Sequence, residues 1–207
     1  MTARDRIMAR IRAAQSPARE LPPPLRPALA EVSGEAAIRQ FIAKAKAVST
    51  TLSPLEAIED LPGVLADELH RRDLPLEIRT GAEPLFALDW GEITHTSGPG
   101  RIEEPATLTR AEFGMAETGS LVFASGRENP VTLNFLGETH FALLDVDDIV
   151  GGYEELWDNW RERGLNPRTV NFITGPSRSA DIGQVLQLGA HGPVALHVFL
   201  LGGGAFF

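Results

Sequence analysis

Four short apolar runs, Ser120 to Ala124, His140 to Val146, Val170 to Thr174 and Val194 to Leu201, are separated by stretches whose apolar residues recur at helical spacing. Strand-length runs alternating with amphipathic helices predict an α/β domain of three layers, α/β/α, around a mostly parallel sheet. From Gly34 to Val48, Ala37, Ile38, Phe41, Ile42, Ala45 and Val48 share one helical face. Ser53 followed by Pro54 and Glu56 predicts a capped helix start running toward Leu61, and Val64 to Arg71 a second short helix. Leu76 to Ile78 and Leu85 to Leu88 read as one or two strands. Thr109-Arg110-Ala111-Glu112 matches a capping box and predicts a short helix to Met115. Tyr153, Leu156, Trp157 and Trp160 form a helical stripe ending at Gly164, assigned to packing rather than to a cofactor. Ile182 to Leu188 has a helical pattern and, between the last two apolar runs, completes a strand–helix–strand unit.

Ahead of this body, Thr2 to Ala14 reads as a short basic helix with Ile7 and Ile11 one turn apart. Leu21-Pro22-Pro23-Pro24-Leu25-Arg26-Pro27 is a stiff extended linker. Residues 1–27 are therefore expected to form an N-terminal helical arm, and 28–207 the α/β domain. A net charge of −9 argues against a nucleic-acid or anionic-membrane surface, both of which select for basic patches. No run reaches the ~20 apolar residues of a membrane span, and the arginine-studded first residues lack a signal-peptide core, so a cytoplasmic protein is expected. The absence of cysteine removes thiolate zinc sites, cysteine nucleophiles and cysteine-held iron–sulfur clusters. Any redox centre then belongs to a partner or to a diffusible cofactor. The histidines show no His-x-x-x-His spacing, and no metal site is expected.

Chemistry concentrates in three places. Gly175-Pro176-Ser177-Arg178-Ser179-Ala180-Asp181 lies between an apolar run and the expected Ile182 helix, the geometry in which backbone N–H groups face an anion. Gly175 and Pro176 let the chain turn sharply, Ser177, Ser179 and Asp181 are capping residues, and Arg178 adds a donor fork suited to carboxylate or phosphate. Asp181 pulls the other way, since its charge fills a helix N-terminus or repels an anion. A ligand-binding loop and a merely capped turn both fit. The second place is Ala116-Glu117-Thr118-Gly119-Ser120. Glu117, wedged among apolar residues, is a candidate acid, base or acyl-accepting nucleophile, with Thr118 and Gly119 presenting turn N–H groups beside it; alternatively it only accepts those groups. The third is His191-Gly192-Pro193, where His191 either neutralises a helix C-terminus or reaches the Gly175 loop.

With Ala116-Glu117-Thr118-Gly119, then Gly175-Pro176-Ser177-Arg178-Ser179-Ala180-Asp181-Ile182, then Gly189-Ala190-His191-Gly192-Pro193 in this order, the chain resembles the LUD family, in its LutC type, over roughly Ile93 to Leu201. The resemblance implies a fold of the NagB/RpiA/CoA-transferase kind. It also implies a role in oxidising L-lactate to pyruvate beside cysteine-rich iron–sulfur partners of the LutA and LutB type. On that basis this chain is expected to be a non-redox subunit binding a small carboxylate or phosphorylated ligand. Glu117 and His191 would then be the candidate catalytic residues, and Thr118, Gly119, Gly175, Pro176, Ser177, Arg178, Ser179 and Asp181 the candidate ligand-binding ones. Two alternatives stay open: a stand-alone isomerase or acyl-CoA transferase using Glu117, and a non-catalytic assembly or regulatory protein.

Overall fold

The computed structural model describes residues 2–14, 30–180, 186–188 and 191–207. The expected linker, the boundary at residue 27 and Asp181 lie outside the described residues.

Helix α1 (Ala3–Ala13) is capped by Thr2, whose hydroxyl accepts from the Asp5 amide while the Asp5 carboxylate accepts from the Thr2 N–H. It buries no side chain. Helix α2 (Gly34–Ala47) buries Ala37, Ile38, Phe41, Ile42 and Ala45, the stripe its spacing predicts. The helix expected from Ser53 is instead strand β1 (Thr51–Leu55). Its parallel partner runs along one side only, so Pro54 sits on a sheet edge, where a missing N–H is tolerated. The helix starts later, as α3 (Leu61–Arg71), with Pro62 in its first turn. Strands β2 (Glu77–Thr80) and β3 (Thr94–Ser97) follow, whereas Leu85 to Leu88, expected in a strand, forms none and begins within a single 3-10 turn, Pro84–Phe86.

The capping box at Thr109 is not a helix start. Strands β4 (Ala106–Arg110) and β5 (Phe113–Met115) occupy that stretch. The Thr109 hydroxyl lies 2.7 Å from His140 Nε2 instead of capping a helix, and Phe113, Gly114 and Met115 are all buried. Next come β6 (Ser120–Ala124), the one-turn helix α4 (Thr132–Phe135), β7 (Thr139–Asp145), β8 (Ile149–Val150) and α5 (Tyr153–Glu162). The chain closes with β9 (Val170–Ile173), β10 (Arg178–Ala180), β11 (Leu186–Leu188) and β12 (Ala195–Leu201). The end of the helix expected at Ile182 to Leu188 is thus corrected, residues 182–185 lying outside the described residues: Leu186–Leu188 is a strand paired antiparallel with Arg178–Ala180. Its Leu-Gln-Leu alternation fits a strand as well as a helix, an ambiguity inherent in short apolar runs.

Six strands form a parallel sheet in the order β1-β12-β7-β4-β2-β3. Alternation sorts its side chains, with Phe141, Leu143 and Phe199 facing the α3 layer and Ala142, Leu144, Leu196, Val198 and Leu200 facing α2. The expected α/β/α layering is therefore present. A second sheet, β8-β5-β6-β9, shares the α2 layer through Leu121 and Phe123, and its outer face packs Phe113 and Val122 on Leu156 and Trp160 of α5. Because β9 belongs to this second sheet and β12 to the first, the expected strand–helix–strand unit does not form.

Candidate functional site

Two motif glycines seat their loops on the same end of α2. Gly119 has φ +71° and lies so close to the helix that a β-carbon would come 2.4 Å from the Ala45 nitrogen. Gly175 has φ +79°, and a β-carbon there would come 2.4 Å from the Val48 carbonyl oxygen. Only glycine combines that backbone with that approach.

Hydroxyls then tie the loops together. Thr118 Oγ1 lies 2.6 Å from Ser120 Oγ, which lies 2.6 Å from Thr174 Oγ1, so a continuous chain of three hydroxyls links the Glu117 turn to the residue before Gly175. Beyond the Gly175 turn the Ser177 N–H donates to the Pro193 carbonyl at 2.9 Å, and the His191 N–H reaches the Ser177 hydroxyl at 3.4 Å. Three stretches separated by up to 75 positions in the chain, 116 to 191, thus make one contiguous structure.

That structure borders a cavity of about 220 Å³ whose wall includes Phe172, Thr174, Gly175, Ser177, His191 and, from α4, Asn134. His191 and Gly192 also line a neighbouring cavity of about 500 Å³. Both lie where β7 and β12 begin, at the amino edge of the six-stranded sheet. The Gly175 loop does follow the carboxyl end of a strand, as expected, but that strand is β9 of the smaller sheet.

The remaining expected residues lie apart from this wall. Glu117 is half-buried, donates its N–H to the Gly151 carbonyl at 2.9 Å, and turns its carboxylate toward Gly152, where a β-carbon would lie 3.0 Å from Oε2. Arg178 is exposed, with its guanidinium hydrogen-bonded to the Ser49 hydroxyl just past α2. Pro176 is in the turn, and Ser179 is described only as backbone of β10. The helix start at Ile182 expected to face an anion lies outside the described residues, and the loop residues before it, Arg178–Ala180, form strand β10.

Sequence reasoning missed Asn134, since an asparagine between two apolar runs reads as a loop residue. It also missed the polar groups at the carboxyl edge of the parallel sheet, where Glu83, Arg110 and Asp145 line a cavity of about 290 Å³. Burial pushes the Glu83 and Glu112 carboxyls up from their ordinary range, opposed in both by Arg110. Three histidines turn out to be strand residues fixed by threonine hydroxyls: His197 by Thr51, His95 by Thr80 and His140 by Thr109. Among the described residues no group of three His, Cys, Asp or Glu is placed to hold a metal ion. No helix among them is long and apolar enough to cross a membrane.

Residues 105–201 match the LUD domain family model. Over 87 residues the chain is 39% identical to the lactate utilization protein C of Anoxybacillus flavithermus, covering 42% of this chain and 39% of that protein. Over 91 residues it is 35% identical to the lactate utilization protein C of Bacillus subtilis, covering 42% and 38%. The aligned stretch thus spans about two fifths of the length of these relatives. The fold is similar to the crystal structure of a DUF162 family protein from Deinococcus radiodurans, with a TM-score of 0.61 and 20% identity over 80% of this chain and 96% of that one.

Proposed function

We propose that this chain, whose residues 105–201 match the LUD domain family model, is a cytoplasmic lactate-utilisation component of that family that binds a small anionic ligand. The observation that carries the reading is that the Gly175 and His191 motif stretches meet on one cavity, with the Glu117 turn tied to them through the Thr118, Ser120 and Thr174 hydroxyls, all within residues 105–201. Oxidising L-lactate to pyruvate removes two electrons and two protons, one from the hydroxyl and one from the α-carbon. A chain without cysteine has no thiolate with which to hold an iron–sulfur cluster. In this reading the electrons pass to iron–sulfur partner proteins of the LutA and LutB type, and this chain binds and orients. His191, on the cavity wall, handles the hydroxyl proton, and Arg178, next to Ser177 but outside the wall, clamps the carboxylate by exchanging its bond to the Ser49 hydroxyl for one to the ligand. The position of Glu117 against Gly152, outside the described wall of the cavity, weighs against acyl transfer through that carboxylate.

Affinity purification of the tagged protein from its host grown on L-lactate, followed by mass spectrometry, tests the assignment. Co-purification of cysteine-rich iron–sulfur proteins is expected. Recovery of the chain alone would count against a shared complex and turn attention to a stand-alone activity.

A further inference from the structure

We infer that Asn134 is a ligand-binding residue whose side-chain amide accepts a hydrogen bond from the hydroxyl of a small 2-hydroxycarboxylate held in the cavity between α4 and the Ser177–His191 contact. Asn134 is 1% exposed, lines the cavity, and its Oδ1 has no hydrogen-bond partner. Leaving a buried amide unpaired costs about 1–3 kcal/mol, so such a group calls for a reason. The other buried polar atoms left unpaired, among them Thr50 Oγ1 and Asn129 Oδ1, do not belong to the wall of this cavity.

The turn that carries Asn134 is fixed from several sides. The Thr107 hydroxyl donates to the Leu133 carbonyl at 2.7 Å, the Gly100 N–H donates to the Thr132 hydroxyl at 2.8 Å, and the Asn134 N–H donates to Val131 at 3.0 Å. The backbone that carries the Asn134 side chain is therefore held in place before any ligand arrives, which lowers the cost of binding.

The walls define the chemistry. Phe135 and Phe172 offer apolar surface for one or two carbons, while Ser177 and His191 supply polar groups from the other side. At about 30 Å³ per water, a volume of about 220 Å³ holds roughly seven waters, enough for a ligand of six or seven heavy atoms. The choice of a 2-hydroxycarboxylate among small acids rests on the lactate-utilisation reading; the anchoring role of Asn134 rests on the cavity itself.

The test is titration of the full chain with L-lactate and with propionate, which lacks the hydroxyl, for wild type and Asn134→Leu, read by calorimetry and by the Asn134 side-chain amide resonance in ¹⁵N-labelled protein. Wild type is expected to bind L-lactate, to bind propionate at least about tenfold more weakly, and to shift the Asn134 resonance on saturation. Asn134→Leu is expected to lose about tenfold or more in lactate affinity while its Tm stays equal or rises, because an apolar isostere removes an unpaired amide. Lactate binding that leaves the Asn134 resonance unmoved, or that survives Asn134→Leu unchanged, overturns the inference even if the variant is unstable. Absence of lactate binding also overturns it. The lactate-utilisation reading is judged separately, by whether lactate-dependent dye reduction in the host requires this chain.

Discussion

Gly175 and Gly119 combine positive φ with backbone neighbours inside contact distance, so any side chain there is strained twice. Gly175→Ala is expected to lower unfolding free energy by about 2–4 kcal/mol in urea titration. Gly63→Ala, in the first turn of α3 with nothing within 4 Å of the added carbon, is expected to raise it by about 0.5–1 kcal/mol. Two histidines set the response to acid. Burial lowers the His140 pKa to about 3 and the His197 pKa to about 4, so both are neutral in the fold, whereas in the unfolded chain they take up protons below about pH 6.5. The folded state then binds fewer protons, and stability present above pH 6.5 is lost as the pH falls toward 4, by up to about 1.4 kcal/mol per pH unit and histidine. Glu83 and Glu112, raised by burial, act in the opposite sense as acid is added. Urea midpoints between pH 7.5 and 5 should decline; a flat profile would contradict the neutral assignment. At this scale the motif glycines, Ser177 and His191 were legible, since their residue types advertise turns and polar contacts. The buried role of Asn134 was not, because burial depends on strands that pair far along the chain.

At the level of elements, α3 is tied to the amino edge of the sheet by one buried carboxylate. Glu68 accepts from Arg71 at 2.8 Å and Arg72 at 2.6 Å, and its Oε1 lies 3.2 Å from His197 Nδ1 on β12. Burial alone would raise the Glu68 pKa, but these arginine hydrogen bonds outweigh it and hold the carboxyl below its ordinary range. Glu68→Ala removes the carboxylate partner of the largely buried Arg72, leaving it the Thr51 hydroxyl, and is expected to cost about 3 kcal/mol by denaturant titration. In contrast, α1 buries nothing, and removal of residues 1–14 is expected to move Tm by less than about 2 °C. Long periodic elements such as α2 and α5 were readable because one helical face carries their apolar residues. The short elements were misread for identifiable reasons. Thr109-x-x-Glu112 has the letters of a capping box, yet its hydroxyl is taken by His140 across the sheet, and Pro54 signals a helix start although it lies on an edge strand. Strand β3, Thr-His-Thr-Ser, has no apolar run to announce it and is recognisable only beside β2.

Across the whole molecule, a parallel sheet ordinarily directs attention to its carboxyl edge, where Glu83 and Arg110 lie. The motif residues gather at the opposite edge, because β9 of the second sheet delivers the Gly175 loop to the starts of β7 and β12. The layers and the parallel sheet were legible in the alternation of apolar runs; the second sheet, which decides where the loops meet, was not. The most direct measurement is L-lactate-dependent dye reduction in extracts of host cells lacking this chain, supplemented with purified protein. Wild type is expected to restore the reduction. Arg178→Ala and the Ser177→Ala/His191→Ala double variant, each with near wild-type Tm, are expected to restore less than about a tenth of it. Full restoration by either variant, or reduction that proceeds without added protein, would contradict a lactate-utilisation role centred on this loop and cavity.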